Sequence, residues 1–149
     1  MENLNNITFR LSSITNEDSS PIPEDIASLD ITEKSLQFQY RIETIIKMAE
    51  NVITIIPQIR YLHLNTKLYE ASVEINFSIS SLSALIDIDP DNRTLEMKVD
   101  ILPTLLGIAY STLRGIVYTR TLSSPLESFP IPAIDIKVLA EKNGISVKE

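Results

Sequence analysis

The chain has 149 residues, 44% of them apolar, with 20 acidic against 13 basic side chains, a net charge of −7, and no cysteine. Such a length predicts one domain, residues 1–149, whose core needs no metal or disulfide staple. The missing cysteines exclude a disulfide framework, thiolate metal sites and cysteine catalysis. The acidic balance argues against a general nucleic-acid binder, whose phosphate contacts need clustered Lys and Arg.

The first twenty residues are polar and acidic where a secretory signal is basic and then apolar. No run approaches the roughly 20 apolar residues of a membrane span, so a cytoplasmic protein without direct membrane insertion is expected. Ile7, Phe9 and Leu11 alternate with Thr8, Arg10 and Ser12, which predicts a short strand. It dissolves into NEDSSPIPEDIASLDITEK, a long loop by its prolines and acids. From Leu36 to Met48 the alternation is clean, with Leu36, Phe38, Tyr40, Ile42 and Ile46 on one side and Gln37, Gln39, Arg41, Glu43 and Lys47 on the other. After a turn near Ala49, Glu50 and Asn51, the stretch Val52 to Leu64 is apolar in both phases. Ile53, Ile55, Ile59 and Tyr61 form one stripe, and Val52, Ile56, Leu62 and Leu64 the other. Pro57 cannot donate to a ladder, which predicts a bulge there or an edge position. A turn at Asn65, Thr66 and Lys67 leads to Tyr69 through Ile79, alternating without a break. Short turns between these strands imply antiparallel neighbours.

Residues 80 to 102 read as a crossover with an Asp-Pro-Asp-Asn turn and a short strand at Leu95 to Val99. Pro103 to Leu122 then shows helical spacing: Leu102, Leu105, Leu106, Ala109, Leu113, Ile116 and Val117 recur at steps of three and four, with Ser111, Arg114 and Arg120 off the stripe. Gly107 and Gly115 weaken a helix by about 1 kcal/mol each against alanine, so a packing reason is expected. Phe129-Pro130-Ile131-Pro132 must run extended, and a last short helix from Asp135 to Lys142 stops at Asn143-Gly144. The fold expected is α+β: a four-stranded antiparallel sheet with the long helix packed on one face and a short C-terminal helix.

Chemistry-bearing motifs are sparse. Asp87-x-Asp89-x-Asp91 mimics the start of a calcium loop, but Asn92 and Lys98 stand where Gly and Glu are needed, so it reads as a solvated turn. His63, the one histidine, has no nucleophile at a diagnostic spacing and reads as a strand residue. The sequons at Asn6, Asn76 and Asn92 lack a secretory context, and the isolated glycines build no phosphate loop. No catalytic residue, metal ligand or cofactor is assigned, and an enzyme is not expected. By contrast, the middle strand carries more apolar surface than one helix can cover.

The order of strands, crossover, long helix, extended Phe-Pro segment and final helix, together with GIAYSTLRGIVYTRTLSSPLESFPIPAIDIKVL, resembles the SecB export-chaperone family in its divergent SecB-like branch. Tyr110, Ser111 and Arg114 match the helix part, Phe129-Pro130 the Phe-Pro step, and Pro132 to Asp135 the start of the last helix. The resemblance implies a homodimer or homotetramer that holds unfolded polypeptides or preproteins, with no cofactor. It further implies delivery to a translocation motor or service to one dedicated client such as an antitoxin. Where the family places acids for the motor, this chain offers Glu17 and Asp18, without the family's motif. The apolar surface left over predicts a polypeptide-binding groove of Val52, Ile56, Leu62 and Leu64 with Phe129 and Ile131. The alternative is a non-catalytic structural subunit whose apolar surface is used only in its own oligomer.

Overall fold

The computed structural model describes residues 7–89, 91–92, 94–98 and 100–148. Three strands follow the alternation directly: β2 (Leu36–Lys47), β3 (Val52–His63) and β4 (Thr66–Ile79) form an antiparallel meander. The β2–β3 connection is a 3-10 turn, Met48–Glu50, closed by Asn51 at φ 53°. Asn51 also ties the turn to the end of β4 and the chain beyond it, its carbonyl accepting from Ile79 N at 2.8 Å and its side-chain oxygen from Leu82 N at 2.9 Å. The β3–β4 turn is the residue pair Leu64-Asn65, with φ 49° and 68°. Positive φ at both central positions is the backbone twist that a two-residue hairpin requires. The turn therefore sits one residue earlier than expected and takes Leu64 out of the strand.

Pro57 lies in neither a bulge nor an edge strand. The sheet order is β1-β4-β3-β2-β7, which places β3 in the centre, and Ile42 pairs with Pro57 without a register break. On the other side the ladder to β4 lapses between Ile55 and Gln58 and resumes in the same register. The missing N–H is thus absorbed as a local gap, and the bulge falls at Tyr61/Leu62 instead.

The expected fourth strand and an unexpected fifth complete a mixed sheet of five. β1 runs Phe9–Ser19, well into the predicted loop, and pairs with β4 at the edge. Its alternation is hidden by register shifts at Leu11/Ser13 and Thr15/Asp18 and by Asn16 at φ 49°. Polar side chains hold it down: Asn16 Nδ2 donates to Glu74 at 2.9 Å, and Asn76 Nδ2 donates to Ser13 and Thr15 hydroxyls at 3.1 Å. At the far edge β7 (Asn143–Lys148) pairs in parallel with Ile42–Lys47 of β2, where only a stop signal had been read.

The crossover folds as a short helix α1 (Leu82–Leu85) and a hairpin of β5 (Ile86–Asp89) and β6 (Thr94–Met97). Asn6, Pro90 of the predicted turn and Val99 of the predicted strand lie outside the described residues. The long helix α2 spans Leu102–Thr121 with Pro103 in its first turn. Leu105, Leu106, Ala109, Leu113 and Val117 are buried against Ile53, Ile55, Ile59, Ile75 and Phe77 of the central strands. A 3-10 turn at Pro125–Ser128, capped by Ser124 and anchored by buried Leu126, reverses the chain. Residues 129–135 then run extended to α3 (Ile136–Lys142), whose N-cap Asp135 accepts from Lys137 N at 2.8 Å.

Candidate functional site

The extended segment after the 3-10 turn is strapped across the helix side of the sheet by three side chains that donate to its backbone carbonyls. Tyr61 Oη donates to Phe129 O at 3.0 Å, Tyr110 Oη to Pro132 O at 2.8 Å, and Arg114 Nε to Ile131 O at 3.2 Å. Proline-rich backbone lacks N–H groups, so its carbonyls need outside donors when covered. Tyr61 is held in turn by edge-to-face contacts with Phe38 at 4.7 Å and Tyr69 at 5.8 Å. Burial pushes the Tyr110 hydroxyl up to about 12 and raises Tyr61 in the same direction, so both remain donors. Arg114, off the apolar stripe, is therefore a tie to the strap and not a solvated residue.

Beside the strap lies an open pocket of about 250 Å³ lined by Tyr61, Arg114, Gly115, Tyr118, Pro130 and Ile131. Tyr118 is 55% exposed and Leu122, at the end of the same helix, 43%. On β1, Phe9, Leu11 and Ile14 pair with Ile79, Phe77 and Ile75, which are core residues of the helix side. These three β1 side chains remain 38%, 44% and 47% exposed. The helix packs over β3 and β4, so the helix side of β1 is the apolar surface it leaves uncovered.

That outcome redistributes the expected groove. Val52 and Ile56, both half-buried, lie on the face of β3 opposite Ile53, Ile55, Ile59 and Tyr61, away from the strap. Leu62, opposite Gln37, shares that face and is buried near the end of the strand, whereas Leu64 is exposed in the hairpin turn. Phe129 is half-buried and Ile131 buried on the helix side. The six residues therefore do not form one groove. The face that carries Val52 and Ile56 is largely polar, with Gln39, Arg41, Glu43, Gln58, Arg60 and Glu70 opposite one another across the strands. Arg60 pairs with Glu70 at 3.2 Å and Arg41 with Glu43 at 3.3 Å, and Gln58 Nε2 also donates to Glu70. The sequence pattern shows which strand is apolar in both phases, but not that a turn takes Leu64 out of the second stripe or that Phe129 and Ile131 pack on the other face.

The acids also separate. Glu17 accepts from Arg120 Nε at 2.7 Å, a bond that holds its carboxyl below the usual range and ties β1 to the last turn of α2. Asp18 is exposed beside it, its backbone opposite Ser72. Asp89 caps its own turn, accepting from Asp91 N at 3.0 Å and Asn92 Nδ2 at 2.8 Å, and Asp87 pairs with Lys98 at 3.6 Å. His63 is buried at the end of β3, its Nε2 3.3 Å from the Asp30 carbonyl. No group of three or more His, Cys, Asp or Glu able to hold a metal occurs among the described residues.

The chain matches no protein-family model and no curated protein. Among the described residues no helix is long and apolar enough to cross a membrane.

Proposed function

We propose that the protein is an ATP-independent holding chaperone that binds unfolded or preprotein segments, as the resemblance to the SecB family implies, and that it works as a homodimer or homotetramer in the cytoplasm. The observation that carries this reading is the uncovered apolar strip of Phe9, Leu11 and Ile14 on the helix side of β1. Exposed apolar side chains on an edge strand offer an unfolded chain contact with little sequence preference. The net charge of −7 favours basic, apolar client stretches and keeps the empty surface soluble. Delivery to a motor would fall to the acids near the end of β1, where Asp18 is exposed and Glu17 is engaged by Arg120.

One observation favours the second reading, a structural subunit whose apolar surface is spent on its own oligomer. Ser111, Gly115 and Thr119 recur every four residues on the exposed side of α2, beyond Gly107 where α3 packs, and a Cβ at Gly115 would meet nothing within 4 Å. Small residues at that spacing let a second helix approach closely. Binding of fluorescently labelled, reduced and carboxymethylated α-lactalbumin, a permanently unfolded polypeptide, separates the two. The chaperone reading expects saturable binding that the Leu11→Ser/Ile14→Ser variant weakens. Absence of binding to the wild-type protein at tens of micromolar would leave the structural subunit in its place.

A further inference from the structure

Both edges of the sheet are occupied differently. The β1 edge is broken by two register shifts and a left-handed residue, a poor template for adding a regular strand. The β2 edge is regular over its whole length, pairing with β3 residue for residue from Leu36 to Lys47. On its outer side β7 covers only Ile42–Lys47, and among the described residues no strand adjoins Leu36–Arg41 there. That half contains Tyr40, whose ring centre lies 4.5 Å from Lys142 Nζ at the end of α3.

β7 itself shows what this edge accepts. It lies parallel to β2, its Ile145 and Val147 in register with Thr44 and Ile46 on the helix side, and Gly144, Ser146 and Lys148 in register with Glu43, Ile45 and Lys47. Its side chains contribute little burial: Gly144 to Lys148 are all exposed, Ile145 at 48% and Val147 at 36%. Besides the ladder, among the described residues one side-chain bond holds it, from Thr44 Oγ1 to Asn143 Oδ1 at 2.8 Å. A strand kept mainly by backbone bonds can be exchanged for another extended segment that makes the same bonds.

From this juxtaposition we infer that the β2 edge is a strand-acceptor site for extended polypeptide, parallel to β2 and apolar at every second residue, and that β7 is its built-in competitor. The inference rests on the polypeptide-binding reading and adds, at the edge opposite the β1 strip, a second contact for the same polypeptide with its direction and its regulation. A client strand seats first on Leu36–Arg41 and gains the remaining half of the edge as β7 leaves. Apparent affinity then scales with the fraction of molecules in which β7 is open.

A reversible lock tests it in the full-length protein. Ile45 and Ser146 are register neighbours, and adjacent strands lie about 4.8 Å apart, inside the span of a disulfide. The chain has no cysteine of its own, so Ile45→Cys/Ser146→Cys introduces a unique pair whose closure is followed by thiol titration. Oxidised, this variant is expected to bind labelled carboxymethylated α-lactalbumin about five-fold or more weakly than when reduced. Thr44→Val, which removes the bond to Asn143, is expected to tighten binding. Hydrogen exchange should show residues 143–148 losing and residues 36–41 gaining protection when the polypeptide is added. Equal affinity of the oxidised and reduced forms, in a protein that does bind, would overturn the competitor role and leave β7 a fixed cover. Absence of binding to the wild-type protein would instead remove the polypeptide-binding reading, and this inference with it.

Discussion

Leu113 and Arg114 are neighbours on α2 with opposite fates, one fully buried against the sheet and the other donating to the Ile131 carbonyl. Leu113→Ala is expected to lower unfolding free energy by roughly 2 to 5 kcal/mol, as other core truncations do. An apolar stripe alone assigns Arg114→Ala under ~0.5 kcal/mol, but loss of a charge-assisted bond to a partly covered carbonyl raises the expected cost to about 1 kcal/mol. Urea denaturation of both variants checks the ranking, and a larger loss for Arg114→Ala would mean that the strap outweighs the core at this position. Tyr110 adds a pH dependence. Its hydroxyl ionises near 10 in an unfolded chain, and burial pushes that up to about 12 in the fold. The folded state therefore holds the proton more tightly. The associated stability is complete below about pH 10 and is lost as pH rises toward about 12. Tyr110→Phe should flatten the alkaline limb of a stability-versus-pH curve in that window, and an unchanged limb would assign the loss to other groups.

At the scale of elements, the two glycines of α2 answer differently to the expectation of a packing role. A Cβ at Gly107 would sit 3.4 Å from Ile136 Cδ1, an ordinary contact with α3, whereas Gly115 faces open space. Nothing within the chain requires glycine at Gly115. Gly115→Ala is thus expected to stabilise the protomer by about 0.5 to 1 kcal/mol through helix propensity alone. Thermal denaturation under dilute conditions measures it; a loss of stability there would place an unseen neighbour against the helix. β1 shows the opposite case, a strand made without a helping pattern. Polar bonds to Glu74 and Asn76 and a tie from Glu17 to Arg120 hold a segment whose composition reads as loop.

For the molecule as a whole, the uncovered strip on β1 and the small-residue line on α2 predict association of identical chains with closed symmetry. Light scattering at micromolar concentration should find a homodimer or homotetramer. A monomer would remove the oligomer from both functional readings and leave the apolar strip free for clients. If the α2 line is the contact, Gly115→Ala should weaken the assembly while it stabilises the protomer, two opposite shifts that no single-chain effect produces.

Alternation at period two and recurrence at three and four are local properties, and they made β2, β3, β4, α2 and α3 legible from residues alone, with bounds close to those observed. The buried stripe of α2 was legible for the same reason, because a helix buries whatever side is apolar. What the tertiary structure decided were relations between distant segments. β1 past Leu11 carries too little alternation to announce a strand, β7 alternates only over Ile145 and Val147 directly after a helix stop, and each forms because a neighbouring edge supplies backbone partners. The strap depends on Tyr61, Tyr110 and Arg114 converging on carbonyls up to 68 residues away. The expected groove divided because Phe129 and Ile131 pack on the helix side while Val52, Ile56 and Leu62 share the other face, and because the strand ends at a turn before Leu64. Which face a distant segment covers is a tertiary relation that no single strand's sequence contains.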